Sequence, residues 1–365
     1  MSAIPDYIVT TGDFIAEWME EEGISAAELS RRLGVSRKHM SELLRGKAPL
    51  SQAVALKLEP VTGIPARLWN RYEAGYREDL ARLEADKTHA SEYEEAKAFP
   101  LAYLRKCGHI TASGKDQAET VRQLLTFLGV SSLASFWETW SHGAVAYRRS
   151  AAARENTPKL AVWLTAGEHR GEPINSFPNY DESQLREQLS RLRGLTVEDP
   201  YKGISKAKEV LARCGVILRL VPAVSGLGIH GATRWIQDRP LIQLSLLWKR
   251  DDQMWFTLFH EIGHILLHDP RGLYLSVDKS EKEREADAFA ANLLIPEEHE
   301  SRIPRKRDVA GVKALAKDLG IAPSIVLGRA QREIRDYTWG NILRRRVELP
   351  LASDLPTQEK ATTSG

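Results

Sequence analysis

The chain has 365 residues and a formal net charge of +2, which allows two or three domains and neither demands nor excludes nucleic acid, so any basic surface must be local. Its two cysteines, Cys107 and Cys214, lie far apart and form no C-x-x-C or zinc-ribbon spacing, which excludes a disulfide framework and fits a reducing cytoplasm. The first residues lack a basic start with an apolar run, and no stretch approaches the roughly 20 apolar residues of a membrane span, so a soluble, cytoplasmic protein with no membrane partner is expected.

Residues 13–22 pattern as an amphipathic helix with Phe14, Ile15 and Trp18 inward and Gly23 as its stop. Ser25 is placed to cap a second helix, with Glu28 in the capping-box position and Leu29 and Leu33 facing the core before Gly34. Ser36 is placed to cap a third helix over 37–45 that closes at Gly46. Two short helices around a tight Gly-Val turn are the helix-turn-helix pattern, whose second helix enters the major groove of DNA. Met40, Leu43 and Leu44 point inward on that helix, leaving Arg37, Lys38, His39, Ser41, Glu42 and Arg45 for the groove. Glutamates make the early helices acidic, whereas Arg31, Arg32, Arg37, Lys38, Arg45 and Lys47 concentrate base around the turn, the kind of patch that supplies phosphate contacts. A helical interaction module with a solvated basic face is the alternative.

The run ELSRRLGVSRKHMSELLRGKAPLSQAVALKLEPVTGIPARLW resembles HigA-type antitoxins of the Xre-like repressor class, almost end to end from about Phe14 to Tyr76. That resemblance implies a homodimer on double-stranded operator DNA, with Ser36, Arg37, Lys38, Ser41 and Arg45 as the contacts to it.

Residues 76–99 form a charged Ala- and Glu-rich helical run broken by Pro100, the pattern of an exposed arm. Residues 101–141 continue helical, with Leu124, Leu125, Leu128, Phe136, Trp137 and Trp140 as candidate core, and Gly114-Lys115 lacks the spacing of a phosphate loop. Residues 144–195 are also helical, with an apolar turn at 161–165, a stripe of Leu185, Leu189 and Leu192, and His169 and Arg170 at the surface. After a helix closing at Gly215, strands are expected over 216–221, 230–236 and 241–247, with turns at 226–228 and 238–240.

The stretch FTLFHEIGHILLH at 256–268 carries the chemistry. On a helix His260 and His264 lie on one face and can bind one ion, and Glu261 can reach the water that ion binds. Zinc with three protein ligands keeps a position open, acidifies water and needs a carboxylate beside it as general base. Asp269-Pro270 stops the helix. In the next helical pattern, 280–296, Glu283 shares a face with Ala286, Phe289, Ala290 and Leu293, and a carboxylate on an apolar face points to a metal or a partner. Glu283 is therefore the preferred third ligand, with Glu281 and Glu285 as rivals, and Asp287 is placed to accept the second ring N–H of a ligand histidine. His268 falls about 12 Å along the axis from His260 and is read as structural, and His230 as a partly buried strand histidine. Residues 307–332 repeat a helix-turn-helix-like pattern that reads as packing, and Arg344, Arg345 and Arg346 read as solvated. Residues 351–365 have the composition of a disordered tail.

The HEIGH pentapeptide followed by E-x-x-A-D-x-F-A-x-x-L-L-I-P resembles the ImmA/IrrE metallo-endopeptidases, relatives of the zincins with a glutamate third ligand. The segments 161–168, 177–195 and 231–247 also resemble members with a DNA-binding domain in front. The resemblance implies His260, His264 and Glu283 as Zn²⁺ ligands, Glu261 as general base and Asp287 behind a ligand. The expected fold class is α+β: an all-α helix-turn-helix domain at 1–76, a helical connector at 77–150, a zincin-like domain with a small, largely antiparallel sheet and an HExxH helix at 151–348, and a tail at 349–365. The function it implies is a DNA-binding regulator or antitoxin with a zinc endopeptidase domain that cleaves a regulatory protein partner in a toxin–antitoxin or stress-response locus. The alternative is a non-enzymatic antitoxin that represses its own operon and binds a toxin, with the zincin domain as sensor or scaffold.

Overall fold

The computed structural model describes residues 9–143, 151–247, 249–270, 272–275 and 280–347. The tail expected at 349–365 lies outside the described residues. The chain divides into two units, one of residues 1–93 with 113–122 and one of 94–112 with 123–365.

The first unit begins with helix α1, Thr11–Glu21. Thr10 caps it reciprocally: the Asp13 N–H donates to Thr10 Oγ1 (3.0 Å) and the Thr10 N–H to Asp13 Oδ2 (2.7 Å). Gly12 permits close packing, since a Cβ there would lie 2.4 Å from the Leu44 carbonyl oxygen. Helices α2 (Ala26–Leu33) and α3 (Arg37–Leu44) follow, capped by Ser25 and Ser36, whose hydroxyls accept from the Glu28 and His39 N–H groups. Gly34 stands between them at φ 63°, a left-handed C-cap that a side chain would strain. Helix α4 (Gln52–Thr62) and the 31-residue α5 (Ala66–Ala96) follow, and α5 runs unbroken through residue 76. Ile15, Leu29, Leu33, Met40, Leu43, Leu58 and Trp69 form its core.

Helices α6 (Leu101–Lys106), α7 (Gln117–Leu128), α8 (Leu133–Gly143), α9 (Ala151–His169), α10 (Glu182–Gly194) and α11 (Pro200–Arg213) precede the sheet. The sheet belongs to the second unit and has four strands in the order β1-β3-β2-β4: β1 is Ile217–Leu220, β2 Gly231–Ile236, β3 Arg239–Leu244 and β4 Tyr274–Leu275. The β2/β3 and β2/β4 pairs are antiparallel and β1/β3 is parallel, so the sheet is mixed. The expected turn at 238–240 is displaced. Gln237 and Asp238 make it, both at positive φ (51° and 61°), while Arg239 and Pro240 belong to β3, with Pro240 opposite Trp235.

The sheet is covered on both faces. Arg234 and Gln243 reach α9, Arg234 through Glu168 (2.6 Å) and Gln243 through the Trp163 carbonyl (2.5 Å). Leu218, Ile242 and Leu244 pack instead into the main core with helix α12, Asp251–Leu267. Helix α13 (Glu281–Leu294) lies close against α12 because residue 263 is glycine: a Cβ there would meet the Ala286 Cα at 3.2 Å and Phe289 at 3.1 Å. Helices α14 (Val309–Leu319) and α15 (Pro323–Ile334) are the helix-turn-helix-like repeat. They bury Val312, Leu315, Val326 and Leu327 in the same core as α12, as support for it.

Two of the terminal arginines differ from the solvated reading. Asp251 and Asp252 at the start of α12 are buried, and Arg345 Nε donates to Asp251 Oδ2 (2.8 Å) while Arg344 Nε donates to Asp252 Oδ2 (2.7 Å). A carboxylate taken out of water demands such a partner. Among the described residues, no helix is long and apolar enough to cross a membrane.

Candidate metal centre

The apolar flanks of the HEIGH motif bury α12 almost along its whole length, so His260, Glu261 and His264 are 5%, 0% and 1% exposed. One turn separates the histidines on one face, and their Nε2 atoms stand 3.0 Å apart. Helix α13 brings Glu283, also buried, with Oε2 at 3.0 Å from His260 Nε2 and Oε1 at 3.2 Å from His264 Nε2. Among the described residues these three form the group able to hold a metal ion. Two imidazole nitrogens and one carboxylate are a zinc-type donor set, and ligand distances of about 2.0–2.2 Å would need the donors only a few tenths of an ångström further apart, at about 3.4 Å. The residues present therefore fit a metal ion.

The surroundings orient these atoms. Asp287 Oδ1 stands 2.9 Å from His260 Nδ1, on the ring edge away from the cluster. The Tyr274 ring lies flat on His264, with centroids 4.6 Å apart and planes 11° from parallel. His268 Nδ1 is 2.9 Å from His264 Nδ1, and His268 Nε2 is 2.9 Å from Glu285 Oε2. Of the rival ligands, Glu285 is thus outside the cluster, and Glu281, the first residue of α13, is not part of it either.

Burial pulls the His260 pKa down, but Asp287 and Glu283 at its two nitrogens outweigh it and push it up to about 10. Burial raises Glu283 too, yet its bonds to the two histidines hold it below the usual carboxylate range. Burial dominates at His264, which is lowered, and at Glu261, pushed up to about 8.

Glu261 occupies a cradle made by β2. Thr233 Oγ1 donates to Glu261 Oε2 (2.7 Å), whereas Oε1 is buried with no hydrogen-bond partner among the described residues. The cradle exists because residue 231 is glycine: a Cβ there would lie 2.3 Å from Glu261 Oε1 and 2.7 Å from Thr257 Cγ2. Gly231, Thr233, Tyr274 and the His268–Glu285 pair were not singled out from sequence for these contacts. The His-x-x-x-His-x-x-x-His spacing is a signal for His268. For Gly231 and Thr233 none exists in one sequence beyond a strand preceding the helix. His230 is half-buried, one residue before this cradle, and its pKa is lowered by burial.

In the first unit Ser36, Arg37, Lys38 and Arg45 are exposed and Ser41 is partly buried. Glu28 pairs with Arg31 (2.5 Å) and Arg32 (3.0 Å), and Lys38 lies 3.9 Å from Glu42. Among the described residues Arg37 and Arg45, on and just after α3, form no ion pair.

Comparison with known proteins finds a family match for both regions. Residues 224–330 match the family model of the IrrE N-terminal-like domain, a peptidase family whose members imply a metal, and residues 15–69 match the helix-turn-helix family. A curated relative, the uncharacterized HTH-type transcriptional regulator YddM of Escherichia coli (strain K12), is 32% identical over 77 residues, which cover 21% of this chain and 78% of that protein. The chain thus belongs to the helix-turn-helix regulators, and behind that DNA-binding domain it carries a metallopeptidase-family domain of the IrrE N-terminal-like type.

Proposed function

We propose that the chain is a cytoplasmic, homodimeric DNA-binding regulator of the HigA/Xre-like type whose C-terminal domain is a zinc endopeptidase acting on a regulatory protein partner. The observation that carries the peptidase reading is Glu261: one oxygen is pinned by Thr233, and the other is buried with no partner among the described residues, beside the His260, His264 and Glu283 cluster. A partnerless buried carboxylate oxygen is costly, and a proton taken from a reacting water removes that cost.

In this reading His260, His264 and Glu283 hold the ion, and Asp287 accepts the His260 Nδ1–H so that Nε2 keeps its lone pair for it. Bound there, zinc supplies a Lewis acid that polarises a scissile carbonyl and acidifies water. Glu261 then acts at Oε1, taking a proton from the water whose oxygen attacks the carbonyl carbon and later giving it to the leaving nitrogen. Burial raises the proton affinity of Glu261, which favours taking a proton from water. Thr233 keeps the other oxygen from turning away.

At the other end of the chain, Ser36, Arg37, Lys38, Ser41 and Arg45 on and beside α3 meet operator DNA, the exposed arginines supplying phosphate contacts. A transcriptional repressor or a partner in a toxin–antitoxin or stress-response locus is the protein class cleaved.

The test is incubation of the zinc-loaded protein with a proteome-derived peptide library, read by mass spectrometry, for wild type and Glu261→Gln. Cleavage by wild type and its loss in the variant, with zinc retained in both, is the expected result. No cleavage by zinc-loaded wild type would turn the reading toward a DNA-binding antitoxin in which this domain is a scaffold, and equal cleavage by both would refute Glu261 as the base.

A further inference from the structure

We infer that His268 and Glu285 are positioning residues that fix the tautomer and ring orientation of His264, as a mirror of what Asp287 does for His260. The inference rests on the metal-site reading above and goes beyond it, because it assigns roles to two residues outside the ligand cluster.

The proton count closes in one way. If His264 Nε2 is to present a lone pair to an ion, its neutral ring carries the proton on Nδ1, and that N–H must find an acceptor in a buried site. The atom facing it is His268 Nδ1 at 2.9 Å. A second histidine serves as acceptor only when its own proton sits on Nε2, and a carboxylate oxygen of Glu285 stands 2.9 Å from that Nε2. Glu285 therefore selects the tautomer of His268, and His268 selects that of His264.

Helix geometry explains why the chain reaches His264. Helix α12 ends at Leu267, and His268 leaves it with extended backbone (φ −123°, ψ 164°), so its ring folds back toward the preceding turn. The His268 side chain is 3% exposed, whereas that of Glu285 is 54% exposed. Tyr274 stacks on His264 and lies beside His268, with ring centroids 5.3 Å apart. Asp287 has the same half-exposed setting as Glu285, at 53%, so each metal-facing histidine ends in one solvent-accessible carboxylate, one directly and one through a second imidazole.

The exposure of Glu285 makes the test clean, since its truncation does not threaten the fold. The full-length wild type, Glu285→Ala and Glu285→Gln are compared by competition for zinc with a chromophoric chelator, alongside the thermal midpoint of the metal-free proteins. Glu285→Ala is expected to weaken zinc binding by about tenfold or more, in the range found when such outer partners are removed, with an unchanged metal-free midpoint. Glu285→Gln, whose amide oxygen still accepts the His268 N–H, is expected to stay within about threefold of wild type. Zinc affinity of Glu285→Ala within twofold of wild type would overturn the inference. So would equal weakening in both variants, because that would make Glu285 a remote charge and not a hydrogen-bond acceptor. Wild type that binds no zinc would instead refute the metal-site reading itself.

Discussion

Gly231→Ala places one methyl group where the structure has no room. The added Cβ would lie 2.3 Å from Glu261 Oε1, 3.0 Å from its carboxyl carbon and 2.7 Å from Thr257 Cγ2. Ordinary contact begins at about 3.4–3.5 Å, so the Glu261 carboxylate must retreat by about 1 Å, and its bond from Thr233 (2.7 Å) must lengthen with it. A displacement of that size of a catalytic group costs about 10²-fold in rate, and overpacking a tight core costs about 1–3 kcal/mol of stability. The three nearest atoms belong to Glu261 and Thr257 and none to His260, His264 or Glu283, so metal binding is expected to be retained. The assay is the cleavage rate of a chosen library peptide, zinc content by mass spectrometry and a urea melt on the same preparation. A variant that keeps zinc and cleaves within threefold of wild type would refute the role given to the cradle.

The other predictions probe separate contacts. Thr233→Val removes the hydroxyl held on Glu261 and is expected to lower cleavage of the same peptide by about tenfold, the equivalent of about 1.4 kcal/mol for a hydrogen bond to a charged group, with zinc retained. Arg345→Ala leaves the fully buried Asp251 carboxylate with the Ser324 hydroxyl (2.8 Å) and a backbone N–H (3.0 Å) but no cation; a urea melt should show a loss of about 3 kcal/mol, the low end for a broken buried pair, and a loss under 1 kcal/mol would contradict the account. Gly75→Ala, inside α5 with nothing within 4 Å of the new methyl, should raise stability by about 0.5–1 kcal/mol. Arg37→Ala and Lys38→Ala should each weaken binding to a random-sequence DNA duplex and reduce its salt dependence by about one unit of slope; an unchanged slope would remove them from the DNA face.

What could be seen in the sequence follows from how local each interaction is. The i, i+4 spacing of His260 and His264, the phase of Glu283 and Asp287 and the capping hydroxyls of Ser25 and Ser36 are decided within one or two turns of helix, and the structure places them accordingly. Glu28 is the exception nearby: it sits in the capping-box position but its carboxylate goes to Arg31 and Arg32 instead. Contacts between distant segments left no comparable signal. Gly231 and Thr233 matter because β2 crosses α12 at Glu261, and Arg344 and Arg345 matter because the chain returns to the start of α12 more than ninety positions later. The displaced hairpin turn has a local reason: Gln237 and Asp238 adopt left-handed backbone without the glycine that usually marks it, so Pro240 looked like part of the turn.

The central claim is that His260, His264 and Glu283 make one metal centre. Its most direct test is the metal content of full-length protein purified without added zinc and after reloading, for wild type, His264→Ala and Glu283→Ala. The account predicts about one zinc per chain in wild type and its loss in both variants, with DNA binding kept. Wild type that stays metal-free after reloading, or variants that hold zinc as tightly as wild type, would contradict it.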